Sequence, residues 1–369
     1  MNKFFSVFIV ILMVACSTDD DPAATSPPAG QEDFDRTAML ANWADNIILP
    51  AYQHYSGQLA ELQAAAEAFA EAPAAAQLTT LRSAWLDAYV AWQSVEMFEI
   101  GKAEEIGLRN YTNIFPTSAD DIEASISQRD FTLALPSKND QQGFPALDYL
   151  LHGVATTDEA IVARYADEAY RTYLIAVVQR MVELTDEVVS DWEGPYRDTF
   201  VNDAGSSATS SFNKFANDYL FYYEKALRAG KVGIPAGVFS GTPLPDKVEG
   251  RYAGEVSKVL FAAALDATQR FFNGKHFGRD TEGESLASYL AYLNTAQDGE
   301  DLGARINEQF NNARQATGTL NDNFAEQVNT DNEALLATYD QLQQNVVLLK
   351  VDMFQALNVK VDFVDNDGD

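Results

Sequence analysis

The chain of 369 residues is poor in cysteine, histidine and positive charge. Its single cysteine, Cys16, excludes an internal disulfide and any metal site built on several thiolates. The three histidines, His54, His152 and His276, have no histidine or cysteine at metal-ligand spacing, and no His-Glu-x-x-His helix occurs. A zinc peptidase of that type lacks its ligands here, and each lone histidine reads as a surface or cap residue. Lys and Arg total 25 against 55 Asp and Glu, for a net charge of −30. Long-range repulsion of this size disfavours nucleic acid and anionic polysaccharide as partners. Cations and neutral ligands stay open, and most of the acids are expected simply to keep the surface solvated. There is no Gly-x-Ser-x-Gly turn after a strand, so the serine-rich stretch at residues 205–211 is expected to cap a helix.

The most apolar run, Phe4 to Ala15, is too short to cross a bilayer. With Lys3 ahead of it, it has the form of an export signal. The segment Leu12-Met13-Val14-Ala15-Cys16 is similar to a bacterial lipobox. Residues 1–16 are therefore expected to be a lipoprotein signal, with acyl chains on Cys16 holding the mature chain to a lipid bilayer. Ser17 after the cysteine fits sorting to the outer membrane. The acidic Asp19-Asp20-Asp21 is similar to a cell-surface export tether and equally to a plain solvated linker. Residues 17–33 have too little apolar surface to order themselves and read as a tether. At the other end, residues 361–369 hold part of a calcium-loop pattern without its closing glutamate, and a frayed acidic tail is the expectation.

Between these ends the hydrophobic period is helical. Leu78, Leu81, Trp85, Tyr89, Trp92 and Val95 step by three and four, as do Leu335, Tyr339, Leu342, Val346, Leu349 and Met353. Ile161 to Val188 predicts one long helix between Thr156 and Ser190. Pro50 is expected to end or kink the first helix. Breaks are expected at Ala72-Pro73-Ala74, at Gly101 and Gly107, and at Gly194-Pro195, with an irregular connection from Gly230 to Pro245. The reading is all-α, with two antiparallel helical bundles at residues 34–200 and 201–365. The alternative is one continuous helical array without a boundary.

The stretch Gly143-Phe144-Pro145-Ala146-Leu147-Asp148-Tyr149-Leu150-Leu151-His152-Gly153 resembles the signature of the imelysin-like lipoproteins, a family once filed among the peptidases. That signature is Gly-x-His-x-x-Glu, followed by an aromatic residue, two leucines and a glycine. Here Pro145 stands at the histidine position and Asp148 at the glutamate position. Other segments carry the same resemblance, in the family's order. These are Trp85 and Trp92 with Glu96 to Gly101, Asn113-Ile114-Phe115-Pro116, Lys231-Val232-Gly233-Ile234-Pro235-Ala236-Gly237, Val248-Glu249, and Leu348 to Met353. The resemblance spans residues 38–365. It implies two bundle-like helical domains with the signature at their junction, and involvement in iron acquisition beside outer-membrane receptors.

Taken as residues, Pro145 suits the first position of a short helix, with Asp148 in its first turn. His152 is placed to favour the helix's C-terminus, and Gly153 suits a left-handed cap. A proline has no lone pair for a metal or a proton, so a metallopeptidase, the second reading, has lost its motif histidine. The first reading is a lipid-anchored, non-catalytic binding protein of the outer membrane, serving iron or other nutrient uptake. Its expected site for a metal or small ligand is Gly143, Pro145 and Asp148 together with Glu96, Arg109, Lys231 and Glu249. Arg109 is one expected partner of Glu96, and Lys231 with Glu249 a second pair, because buried charges must be paired. No cofactor is required by the sequence. The third reading is an accessory subunit docking on an outer-membrane receptor through an exposed apolar patch.

Overall fold

The computed structural model describes residues 34–293, 296–297 and 300–363. The expected signal, Cys16, the tether at 17–33 and the tail beyond Phe363 lie outside these residues. The described chain is all-α. Its one pair of strands is two residues long on each side, Ala296–Gln297 against Glu300–Asp301. Among the described residues no helix is long and apolar enough to cross a membrane.

In the first half of the chain the long helix Leu49–Glu71 packs along both Ala75–Trp92 and Glu168–Glu193. The breaks at Ala72-Pro73-Ala74 and Gly194-Pro195 fall as expected. The long helix expected from Thr156 to Ser190 is two helices, Asp158–Arg164 and Glu168–Glu193. Asp167 restarts it by accepting the N–H of Ala169 at 2.9 Å, an N-cap that hydrophobic period alone does not reveal. Pro50 neither ends nor begins the first helix. It is the second residue of Leu49–Glu71, directly after a π-helical turn at Trp43–Ile48. The carbonyl four residues before it, on Asn46, accepts the N–H of Phe277 at 2.8 Å instead. The acceptor that proline leaves open is thus satisfied from the far half of the chain.

The second half is built from Ser211–Phe221, Ser257–Phe272, Leu302–Gly318 and Asn332–Val347. Ser210 caps the first of these, its side chain accepting from Asn213, as the serine-rich stretch predicted. The stretch from Tyr222 to Gly233, expected to turn irregular at Gly230, continues as a π-helix. The described residues from Phe34 to Phe363 form one compact unit. Trp43 illustrates how the halves share a core, its ring lying 5.1 Å from Phe215 and 5.0 Å from Phe271.

Candidate functional site

Three of the residues singled out by sequence, Glu96, Lys231 and Glu249, meet in one buried network. The ammonium of Lys231 donates to Glu249 at 2.7 and 2.8 Å and to Gln93 at 2.8 Å, and lies 3.2 Å from Glu96. Asn113 donates to Glu96 at 2.7 Å and to Glu249 at 2.8 Å, while Tyr89 donates to Asn113 at 2.6 Å. Tyr222 closes the ring on Glu96 at 3.2 Å. Glu96, Lys231 and Glu249 are each at most 3% exposed. Burial penalises the Glu96 carboxylate, but Lys231, Asn113 and Arg109 outweigh it and hold Glu96 below its ordinary value. Burial likewise opposes the Lys231 charge, and Glu249 and Glu96 overcome it and raise its pKa. The hydroxyls of Tyr89 and Tyr222 are pushed far above the usual phenol range, first by burial and then by these carboxylates. They therefore act as donors.

Arg109 extends the network but does not pair as the sequence suggested. Its guanidinium donates to the backbone carbonyl of Glu96 at 2.8 and 3.0 Å, and its ion-pair partner is Asp218 at 3.3 Å. Asp218 also accepts the backbone N–H of Glu99 at 2.8 Å. Glu99 accepts the backbone N–H of Arg109 at 3.1 Å. Burial raises Glu99 to about 7; Arg109 opposes this and Asp218 adds to it.

The signature segment stands behind this network. The Gly143–Asp148 helix is buried throughout. Pro145 is its third residue, not its first, and Asp148 is its last, not in its first turn. The carboxylate of Asp148 accepts the backbone N–H groups of Tyr252 and Ala253, both at 2.8 Å, and lies 3.2 Å from His152 Nδ1. Asp148 thus fastens the signature to the bend that carries Glu249. Gly143 has φ +74°, and a Cβ there would meet the carbonyl oxygen of Thr112 at 2.1 Å. Its neighbour Asn113 is placed by that contact. Gly153 is not a left-handed cap. It is needed for space, because a Cβ would lie 2.5 Å from the ring of Tyr252.

Beside the network is a cavity of about 440 Å³, lined by residues from both halves of the chain. Its polar side includes Glu96, Arg109, Asn113, Lys225, Lys231 and Lys247, and its apolar side includes Ile114, Phe115 and Phe221. Gly143, Pro145 and Asp148 are not on its wall. Lys231 already occupies the position between Glu96 and Glu249 that a cation would take. Among the described residues no three His, Cys, Asp or Glu side chains group to hold a metal. These donors do not fit a bare metal ion.

The imelysin family model matches residues 48–349. The chain belongs to the imelysin family. Iron-regulated protein A of Synechococcus elongatus is 22% identical over 329 residues, which cover 84% of this chain and 85% of that one. An imelysin-like protein of Psychrobacter arcticum 273-4 superposes with a TM-score of 0.70 at 18% identity, covering 89% of this chain and 97% of its own. A protein of Parabacteroides distasonis, described as an iron-regulated protein A precursor, gives 0.67 at 16% identity, covering 87% and 97%. These likenesses show the imelysin fold.

Within this imelysin-family chain, sequence reading missed Gln93, Asn113, Asp218 and Glu99 as members of the network. Gln93 and Asn113 each sit one residue past a helix end, where a polar side chain ordinarily reads as a cap. Asp218 lies 109 positions from Arg109, and no local pattern joins them.

Proposed function

We propose that this imelysin-family chain is a non-catalytic binding protein held at the outer membrane through Cys16. It serves iron or other nutrient uptake by binding a small ligand in the cavity beside Glu96 and Lys231. The observation that carries this reading is the closed network under the cavity. Lys231 is held by three side chains at once, and Glu96 is saturated by Asn113, Lys231 and Tyr222. Groups so fully engaged make a rigid polar floor and are not themselves free to act as base or nucleophile. The described lining includes no Ser, Thr, Cys or His. The iron part rests on the relative named iron-regulated protein A.

The test fills the cavity. Ala226 lines it, and Ala226→Trp is expected to abolish growth under iron limitation in cells that depend on this protein, with the chain still folded by circular dichroism. Undiminished growth would overturn the cavity as the working site. Release of peptide fragments by the purified chain, with zinc or iron supplied, would overturn the non-catalytic reading.

A docking role has its own support. Phe221 and Ile234 on the cavity rim are 37% and 39% exposed, and Phe239 a few residues on is 47% exposed. Exposed apolar side chains of this kind suit a receptor partner. Phe239→Ser would weaken receptor capture without touching ligand binding if this second reading holds.

A further inference from the structure

Iron in water is a cation, yet the cavity wall is not made for one. It carries Arg109, Lys225, Lys231 and Lys247 against a single carboxylate, Glu96. In a chain with 55 acids and 25 bases, that ratio is the reverse of the whole. The acids that balance these cations stand off the wall. Asp218 pairs with Arg109, Glu249 with Lys231, and the fully buried Glu224 lies 3.6 Å from Lys225. None of the three lines the cavity.

The rest of the wall is apolar and partly aromatic. Phe115 lies 5.9 Å from the ammonium of Lys231, and Phe221 lies 5.9 Å from the guanidinium of Arg109. The backbone explains the juxtaposition. In the π-helix at Tyr222–Gly233 bonds run from i to i+5 and each turn takes in more residues than an α-helical turn, so residues five apart stay near one face. Phe221, Ala226 and Lys231 are spaced by five, as are Lys225 and Gly230. Two adjacent rows of one helix therefore line the cavity, mixing ring, small residue and cation. An α-helix would scatter these five residues around its circumference. Gly230 keeps the rows low, since a Cβ there would lie 3.2 Å from the Lys225 carbonyl oxygen and 4.0 Å from the Phe115 ring.

We propose that the cavity takes a small organic anion, a carboxylate borne on a planar apolar body. Any iron bound there arrives inside such an anion and not as the bare ion. The carboxylate meets the Lys225, Lys247 and Arg109 side of the wall, and the body lies against Phe115, Phe221 and Ile234. This inference rests on the cavity reading above and adds the sign and shape of the ligand.

A charge series tests it. The full chain is titrated by calorimetry with 2-naphthoate, neutral 2-naphthamide and cationic 2-naphthylmethylamine. The naphthoate is expected to bind at least tenfold tighter than the amide, with the amine weakest. Lys225→Gln with Lys247→Gln should bring the naphthoate down to the level of the amide and leave the amide unchanged. Ala226→Trp should remove binding of all three. Equal affinity for amide and naphthoate, naphthoate binding that survives Ala226→Trp, or no binding of any probe at millimolar concentration would each overturn the proposal. The two readings fail separately. An amide that binds as well as the naphthoate, and is lost in Ala226→Trp, sinks the anion and keeps the cavity. Iron-limited growth that survives Ala226→Trp sinks the cavity itself.

Discussion

The signature helix and the cavity helix divide two jobs that sequence reading joined. From Gly143 to Leu151 every residue is buried, and its one carboxylate is saturated by the chain's own backbone at Tyr252 and Ala253. Along Phe221 to Ile234, by contrast, fully buried residues alternate with half-exposed ones that face a cavity. The stretch with the most recognisable letters is a fastener, and a stretch whose only motif letters begin at Lys231 carries the open wall. A fastener tolerates few letters because each one meets fixed backbone. A cavity wall meets water or ligand and constrains its sequence less.

The comparison breaks first at Gly143. Gly143→Ala would force a Cβ onto the Thr112 carbonyl at a positive φ, and we expect a loss of about 4 kcal/mol, read as a lower urea midpoint. A loss under 1 kcal/mol would mean that the signature is not pinned there. Lys231→Met should cost nearly as much, about 3–5 kcal/mol, by leaving Glu96 and Glu249 buried without their cation. Adding Glu249→Gln should restore part of that loss, and a double variant no more stable than the single would contradict the network.

Asp148→Asn removes one of two charge-assisted acceptors on the fastener, and about 2 kcal/mol is expected. Naphthoate affinity should be little changed, since Asp148 is off the wall. A loss of affinity without a loss of stability would return the signature to the binding role. The pH dependence comes next. A carboxyl raised to about 7 in the fold, from 4.5, binds its proton more tightly when folded. Its contribution is therefore present below pH 4.5 and lost as pH rises toward 7. Glu99→Gln should flatten that decline by about 1–3 kcal/mol between pH 5 and pH 8. Parallel pH curves for the two proteins would remove Glu99 from the account. The smallest effect is expected at Lys247→Gln, whose side chain is 39% exposed and 4.0 Å from Asp246. Stability should move by less than about 0.5 kcal/mol while anion binding weakens.

Much of this was legible from sequence because it is local. The three- and four-residue step of Leu78 to Val95 made the Ala75–Trp92 helix plain, and Ala72-Pro73-Ala74 marked where it starts. Glu96 stood out as a charge beside an apolar stripe, and Lys231 and Glu249 through the segments that resemble the family, where an unpaired buried charge is too costly to keep. The order of short motifs carried the family. Two of the misreadings share a cause: Pro50 and the Gly230 stretch both adjoin or enter π-turns, which a 3.6-residue period cannot register. Gly153 was read for its φ when its use is the nearness of Tyr252, a residue 99 positions away.

Period, caps and desolvation act over a few residues, so a helical chain, most of its breaks and the charges that need partners follow from the letters alone. Which partners those charges find follows from the packed fold. Arg109 reaches Asp218 and not the Glu96 carboxylate, and Lys231 sits between two glutamates from different halves of the chain. Such pairings depend on how helices distant in sequence cross, and that is set by the packing of one shared core.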